Sequence, residues 1–252
     1  MNFSRKEAFN AAMVMTGATY VIYITGLITN TLIARSLSSD NYGQYAYFVW
    51  MVGVLCVLIN NALSVSSLRF ISEAIGKQGV DSGKALYAWF MRCQSICMLL
   101  GLPLAVVFAY LNPPDGWSSP LWVFIAVVAI VSIAKANFMF LTSSSKGFGA
   151  FVVDAASNSM AGIFSACTVA VAFFLGAGLD VYIAIFIATT IFSLLVAKMI
   201  ANKVGVTAVS ISVDDSEKLR IRRFMKWTLL LIICNAINHT SVIVYFLNKT
   251  DG

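Results

Sequence analysis

The sequence predicts an all-α protein, a polytopic bundle of transmembrane helices. Three properties support this: 60% of the 252 residues are hydrophobic, only 11% are charged, and the mean hydropathy is +0.85. A water-soluble fold of this size could not bury so much apolar surface. Apolar runs of about 20 residues recur along the chain, and in lipid such runs satisfy their backbone hydrogen bonds by forming helices.

Seven apolar segments are long enough to cross a bilayer. The first continues well past the length of a signal sequence without a small-residue cleavage site, so it is predicted to be an uncleaved span. In chain order the predicted spans are 9–34, 42–65, 85–111, 121–141, 151–176, 181–200 and 224–247.

A polar and basic segment after the sixth span marks the predicted domain boundary. Residues 1–205 are predicted to form a six-helix lobe, residues 206–223 a basic cytoplasmic loop, and residues 224–252 the first helix of a second, truncated lobe.

Lysine and arginine predict the orientation. With the N-terminus in the cytoplasm, nearly all basic residues of the short connections fall inside, and only Arg35 and Lys249 fall outside. The net charge of +6 is then explained by topology and by anionic lipid. No nucleic-acid motif is present, so the expected contacts are membrane lipids and no nucleic acid.

The residue inventory disfavours an enzyme. The single histidine, His239, stands beside Asn238 within the seventh predicted span, where a hydrogen-bonded structural role is expected. The five cysteines all lie in apolar runs. Neither a phosphate-binding glycine loop nor a metal-ligand helix motif occurs, so no catalytic residue, metal or cofactor is predicted.

Two basic residues interrupt apolar spans at a similar predicted depth. Charge inside a bilayer is costly and usually faces a bundle interior or a water-filled cavity. Arg92 and Lys135 outnumber the single nearby acid, Asp154, which predicts a cationic pocket suited to an anion. The alternative is structural: Arg92 reaches toward the headgroups and Lys135 pairs with Asp154.

Polar side chains also recur at helical spacing in the first and fifth spans. Such stripes line a watery cavity or support tight helix packing. Tyr23 and Asn30 are the candidate cavity residues of the first span. The full stripes are Thr16, Thr19, Tyr20, Tyr23, Gly26 and Asn30, and Asp154, Ser157, Asn158, Ala161, Ser165 and Thr168.

The turn after the first span carries a recognisable pattern, Leu32-Ile33-Ala34-Arg35-Ser36-Leu37-Ser38-Ser39-Asp40-Asn41-Tyr42-Gly43-Gln44-Tyr45. It resembles the signature of Wzx-type polysaccharide flippases of the multidrug/oligosaccharidyl-lipid/polysaccharide exporter superfamily. Ser67-Leu68-Arg69-Phe70-Ile71-Ser72 is similar to that family as well.

The resemblance implies a V-shaped transporter of two six-helix lobes in the bacterial inner membrane. Its central cavity would accept an undecaprenyl-diphosphate oligosaccharide for cell-envelope polysaccharides such as O-antigen. By position, Arg92 and Lys135 would meet the diphosphate or acidic sugars, and Arg35 would lie near the outer mouth.

Members of that family carry about twice as many spans as this sequence, which resembles their N-terminal lobe and the next helix. We therefore expect either a fragment or a lobe that assembles with a C-terminal half or with other polysaccharide-assembly proteins. Three alternatives to a flippase are a cation-coupled drug antiporter, a membrane-embedded enzyme and a non-transporting scaffold. The first span holds no acid inside its apolar stretch, which argues against the antiporter.

Overall fold

A computed structural model describes residues 5–113, 117, 120–209 and 213–238. This part of the chain contains seven helices and no strand, so the all-α prediction is confirmed. The helices are α1 Arg5–Ser36, α2 Ser39–Gln78, α3 Val80–Leu111, α4 Leu121–Gly147, α5 Phe151–Phe174, α6 Leu179–Lys203 and α7 Asp215–Asn238.

Five of these helices, α1 and α3 to α6, are long and apolar enough to cross a membrane, and α2 meets the same criterion as a bent pair. These helices cover the first six predicted spans. The seventh predicted span, 224–247, is described only as far as Asn238.

Helix α2 extends well beyond its predicted apolar span, which was expected to end at residue 65. Its 40 residues would measure about 60 Å if straight, roughly twice the thickness of the apolar layer. It continues as a helix because Phe70, Ile71 and Ala74 form a buried face there. Helix α2 bends by 47° between Val57 and Ala62.

The segment predicted as a basic loop, 206–223, contains the start of a helix. Helix α7 already begins at Asp215 and places Asp215 and Glu217 in its first turn, where carboxylates favour the helix dipole. The basic residues that follow leave one apolar face, on which Ile221 is fully buried. This helix start was not predicted because the charge of the segment favours a loop. Its helical structure depends instead on the apolar face that packs against the bundle.

Short turns join neighbouring helices antiparallel. Gly79 alone separates α2 from α3 and adopts φ +95°, and Gly149 in the α4–α5 turn adopts φ +77°. An L side chain would be strained at either position. These turns fix which end of the bundle each helix begins at.

Contacts across the bundle set the directions of the remaining helices. Cys56 Sγ contacts Ser132 O, and Ser144 Oγ lies 3.1 Å from Ser67 Oγ, so α2 and α4 run parallel. Helix α7 runs antiparallel to α2. The end at which α2 finishes and α3 and α7 begin is called the basic end here, because it holds Arg69, Lys77, Lys84, Lys146, Lys203 and Arg220.

Three apolar clusters hold the helices together. The cluster nearest the basic end contains Phe70, Phe90 and Ile221, and a second one toward the opposite end contains Phe48 and Phe124. A small third cluster joins α1, α5 and α6 through Ile33, Val169 and Tyr182. Helix α1 is therefore attached along one side, while α2, α3, α4 and α6 supply most of the core.

Candidate functional site

The polar stripe of α1 lies on the side of the helix that faces away from α5. Helix α1 packs on α5 through Ala18, Thr25 and Ile33. At 100° per residue, Tyr23 and Asn30 point about 120–160° away from Ala18 and Thr25. Tyr23 is 73% exposed, and Asn30 is exposed as well. Thr16, Thr19 and Tyr20, which share the same face, are also exposed.

The exposed tyrosine and asparagine side chains of the stripe need hydrogen-bond partners outside their own helix. Thr19 Oγ1 already donates to the Met15 carbonyl at 2.8 Å. At a face that met only lipid, however, the tyrosine hydroxyls and the Asn30 amide would lack partners, which is costly in hydrocarbon. Tyrosine hydroxyls and an asparagine amide can donate and accept hydrogen bonds with hydroxyl-rich ligands. The α1 stripe is therefore suited to a wet surface or to a polar partner.

Arg92 lies on the outer side of α3. Phe90 and Gln94, two residues to either side, are buried, and Arg92 points about 160° away from both. Its exposed neighbours on the same side of α3 are Leu99 and Ile96. No ion pair involves Arg92 within the described part of the chain.

Lys135 occupies a different environment, at the half-buried meeting place of α4 with α2 and α6. Its Nζ lies 5.7 Å from the centre of the Phe186 ring, within the range of a cation–π contact. Cys56 of α2 contacts the carbonyl of Ser132 about one turn away. The structure therefore does not gather Arg92 and Lys135 on one surface.

Asp154 is paired with Lys146. The Lys146 Nζ lies 3.2 Å from Asp154 Oδ2, and both side chains are largely buried. Asn158 Nδ2 donates to Asp154 Oδ1 at 2.8 Å. This network fastens the turn between α4 and α5, so the alternative in which Lys135 pairs with Asp154 does not occur.

Arg35 is exposed in the last turn of α1, at the end of the bundle opposite the basic end. Close by, Tyr182 Oη lies 2.6 Å from Ser36 Oγ and ties the end of α1 to the start of α6. Ser38, which follows Arg35 in the same motif, caps α2 by accepting a hydrogen bond from the Asn41 amide at 3.4 Å.

His239, the single histidine, lies outside the described residues.

A hollow that was not predicted from the sequence lies between α2 and α7 at the basic end. The hollow has a volume of about 310 Å³. Arginines surround it, and Phe70 and Phe224 meet edge to face at 5.5 Å beneath it. Its lining residues are Arg69, Phe70, Glu73, Arg220, Arg223, Phe224 and Trp227.

Ion pairs define one wall of this hollow. Arg220 Nη2 lies 2.8 Å from Glu73 Oε2, and Lys77 Nζ lies 2.6 Å from Glu73 Oε1. Glu73 is thus shared between two cations. The sequence shows a four-residue spacing between Arg69 and Glu73 on α2, and the same spacing between Arg220 and Phe224 on α7. It does not show that the two helices align antiparallel and bring these residues together.

A second hollow, of about 450 Å³, adjoins the first and shares Glu73 and Arg220 with it. Mixed charges line it, including Asp81, Asp214 and Glu217. At the nearby start of α7, the hydrogen bond from Lys218 holds the pKa of the exposed Asp215 carboxyl below its usual range. Four acids and two bases line this hollow among the described residues, so negative charge is in excess there and an anion is disfavoured.

Comparison with protein-family models, with curated proteins and with solved structures gives no match to this chain.

Proposed function

We propose that this protein takes part in moving an undecaprenyl-diphosphate-linked oligosaccharide across a bacterial inner membrane, as half of a two-lobed transporter. The polar stripe of α1 is the observation that carries the proposal. It combines Tyr23 and Asn30 with Thr16, Thr19 and Tyr20, all exposed, on a helix that is apolar enough to cross a membrane.

The attachment of α1 supports a position beside a substrate path. Helix α1 is held on one side by α5, and nothing in the described part of the chain covers the opposite side. A second lobe facing that side would enclose a space between two helical bundles, as expected for alternating access. Sugar hydroxyls passing there would exchange hydrogen bonds with Tyr23 and Asn30.

The two intramembrane cations support the proposal unequally. Lys135 keeps a half-buried position between helices, whereas Arg92 lies on the outer side of α3. The binding of a diphosphate by Lys135 stays a prediction, whereas the outward position of Arg92 on α3 argues against such a contact for that residue. Asp154 has its charge balanced by Lys146, which fits a structural role better than contact with substrate.

The test uses cells from which the gene for this chain has been deleted. We expect loss of surface polysaccharide together with accumulation of its lipid-linked precursor on the cytoplasmic side. The wild-type gene should restore the polymer, and the double variant Tyr23→Ala, Asn30→Ala should restore it poorly at equal membrane abundance. Normal surface polymer in the deletion strain, with altered resistance to lipophilic cations, would instead favour drug antiport.

A further inference from the structure

The hollow between α2 and α7 has chemistry that the transport proposal does not use. Arg69, Arg220 and Arg223 bring three positive charges to it, and Glu73 is the only acid among its described lining residues. Glu73 is already engaged by Arg220 and Lys77. Arg69 and Arg223 form no ion pair within the described residues, so the hollow keeps an excess of positive charge.

Aromatic rings hold one of these guanidinium groups in place. The Arg69 Cζ lies 4.5 Å from the centre of the Phe224 ring and 5.6 Å from that of Phe70. Stacking on a ring leaves the N–H groups at the guanidinium edge free to donate. On the facing side, the Arg220 Cζ lies 5.0 Å from the Phe70 ring. The rings thus hold the guanidinium groups of Arg69 and Arg220 in place before any ligand binds.

The surroundings of the hollow indicate where its ligand comes from. Trp227 borders the hollow and is 69% exposed, as is typical of tryptophan at a membrane–water boundary. One turn further along α7, Leu230 and Leu231 are also exposed. An amphiphile could therefore place its charged group among the arginines and its chains along these leucines.

From this arrangement we infer that the hollow binds the phosphate headgroup of an anionic phospholipid in the leaflet at the basic end. Arg69 and Arg223 donate to the phosphate oxygens, in the forked geometry that arginine offers to phosphate. Phe70 and Phe224 form the apolar floor below the glycerol. The bound lipid would join α7 to α2. This inference does not depend on what the protein transports.

The test measures binding of phosphatidylglycerol to the purified full chain in neutral detergent, by native mass spectrometry. We expect the double variant Arg69→Gln, Arg223→Gln to weaken binding about tenfold or more, because both guanidinium contacts to the phosphate are lost. The control is the double variant Arg222→Gln, Lys226→Gln. It also removes two positive charges, but from residues of α7 that do not line the hollow. This control should retain nearly wild-type binding.

Four outcomes would overturn the inference. Equal weakening in both double variants would indicate charge attraction without a site. Equal binding of the zwitterionic phosphatidylcholine would show that anionic charge is not recognised. Inorganic phosphate that displaces phosphatidylglycerol at similar concentrations would indicate a site for free phosphate. A polyprenyl diphosphate that binds far more tightly, with the same arginine dependence, would assign the hollow to the transport substrate. Circular dichroism of each variant checks that the helices are retained.

Discussion

Arg220 of α7 and Glu73 of α2 lie 2.8 Å apart and join two helices that are separated by more than a hundred residues of sequence. Phe70 adds to the same contact, because the Arg220 guanidinium lies 5.0 Å from its ring. The first turns of α7 are thereby docked on the end of α2. Docking at this place aligns the basic half of α7 with the basic end of the bundle.

The ion pair between Glu73 and Arg220 should contribute modestly to this docking. Both side chains are partly exposed, so we expect a coupling of about 0.5 kcal/mol in a double-mutant cycle of Glu73→Gln and Arg220→Gln. Thermal unfolding of the purified protein measures it. The matched control is Asp215→Asn with Lys218→Gln, an ion pair within α7 that joins no other helix. Loss of this control pair should leave the contact between α2 and α7 intact. Chemical cross-linking between the two helices measures that contact and should be unchanged.

Gly162 permits the close approach of α1 to α5. A Cβ at that position would lie 2.5 Å from Thr25 Oγ1. Gly162→Ala should therefore lower the free energy of unfolding by about 1 to 2 kcal/mol. Adding Thr25→Ala should restore most of the loss, because it removes the obstructing oxygen.

Gly17 provides the comparison, since a Cβ there meets nothing within 4 Å. Gly17→Ala should leave stability unchanged or raise it slightly, because alanine favours the helix. Equal losses in both single variants would mean that the contact between Gly162 and Thr25 does not limit packing.

Asn60 makes a buried hydrogen bond between helices, from its Nδ2 to the carbonyl of Ala136. Asn60→Ala should destabilise the protein by about 1 kcal/mol, as measured by thermal unfolding in detergent. Among the described residues, Asn137 Nδ2 donates to Ile133 O, within its own helix, at 2.9 Å. Asn137→Ala should therefore cost less, and a larger cost would contradict the importance of the α2–α4 bond.

The α1 stripe should be accessible to water in the membrane. In a variant without the native cysteines, Tyr23→Cys should react roughly tenfold faster with a water-soluble maleimide than Ile24→Cys, because thiols react as thiolates in water. Ile24 is also exposed, but it points to the apolar side of α1. Similar slow labelling at both positions would place the stripe against lipid or protein and would remove the main support for a substrate path.

Arg92 and Lys135 should differ in their effects on transport. Arg92→Leu is expected to leave surface polysaccharide unchanged, because its side chain lies on the outer side of α3 beside Leu99. Lys135→Leu removes a half-buried charge beside Phe186 and should reduce the polymer at equal protein abundance. A loss of polymer with Arg92→Leu would return that arginine to the substrate path.

The existence of the first six helices was predictable, because the length and hydropathy of each span are local properties of the sequence. Helix ends were less predictable. The extension of α2 to Gln78 depends on a face containing Phe70 and Ile71 that packs against other helices. Charge alone suggested a loop there, since Arg69, Glu73 and Lys77 lie on the remaining faces.

By itself, then, the sequence determined that the chain is helical and apolar, where its first six helices lie, and that a polar stripe runs along α1. Only the tertiary structure decided that Asp154 pairs with Lys146, that Arg92 and Lys135 occupy different surfaces, and that Arg69 and Arg223 meet at one hollow. The reason is physical: periodicity assigns each residue to a face of its own helix, whereas the partner of that face depends on how distant helices align and rotate.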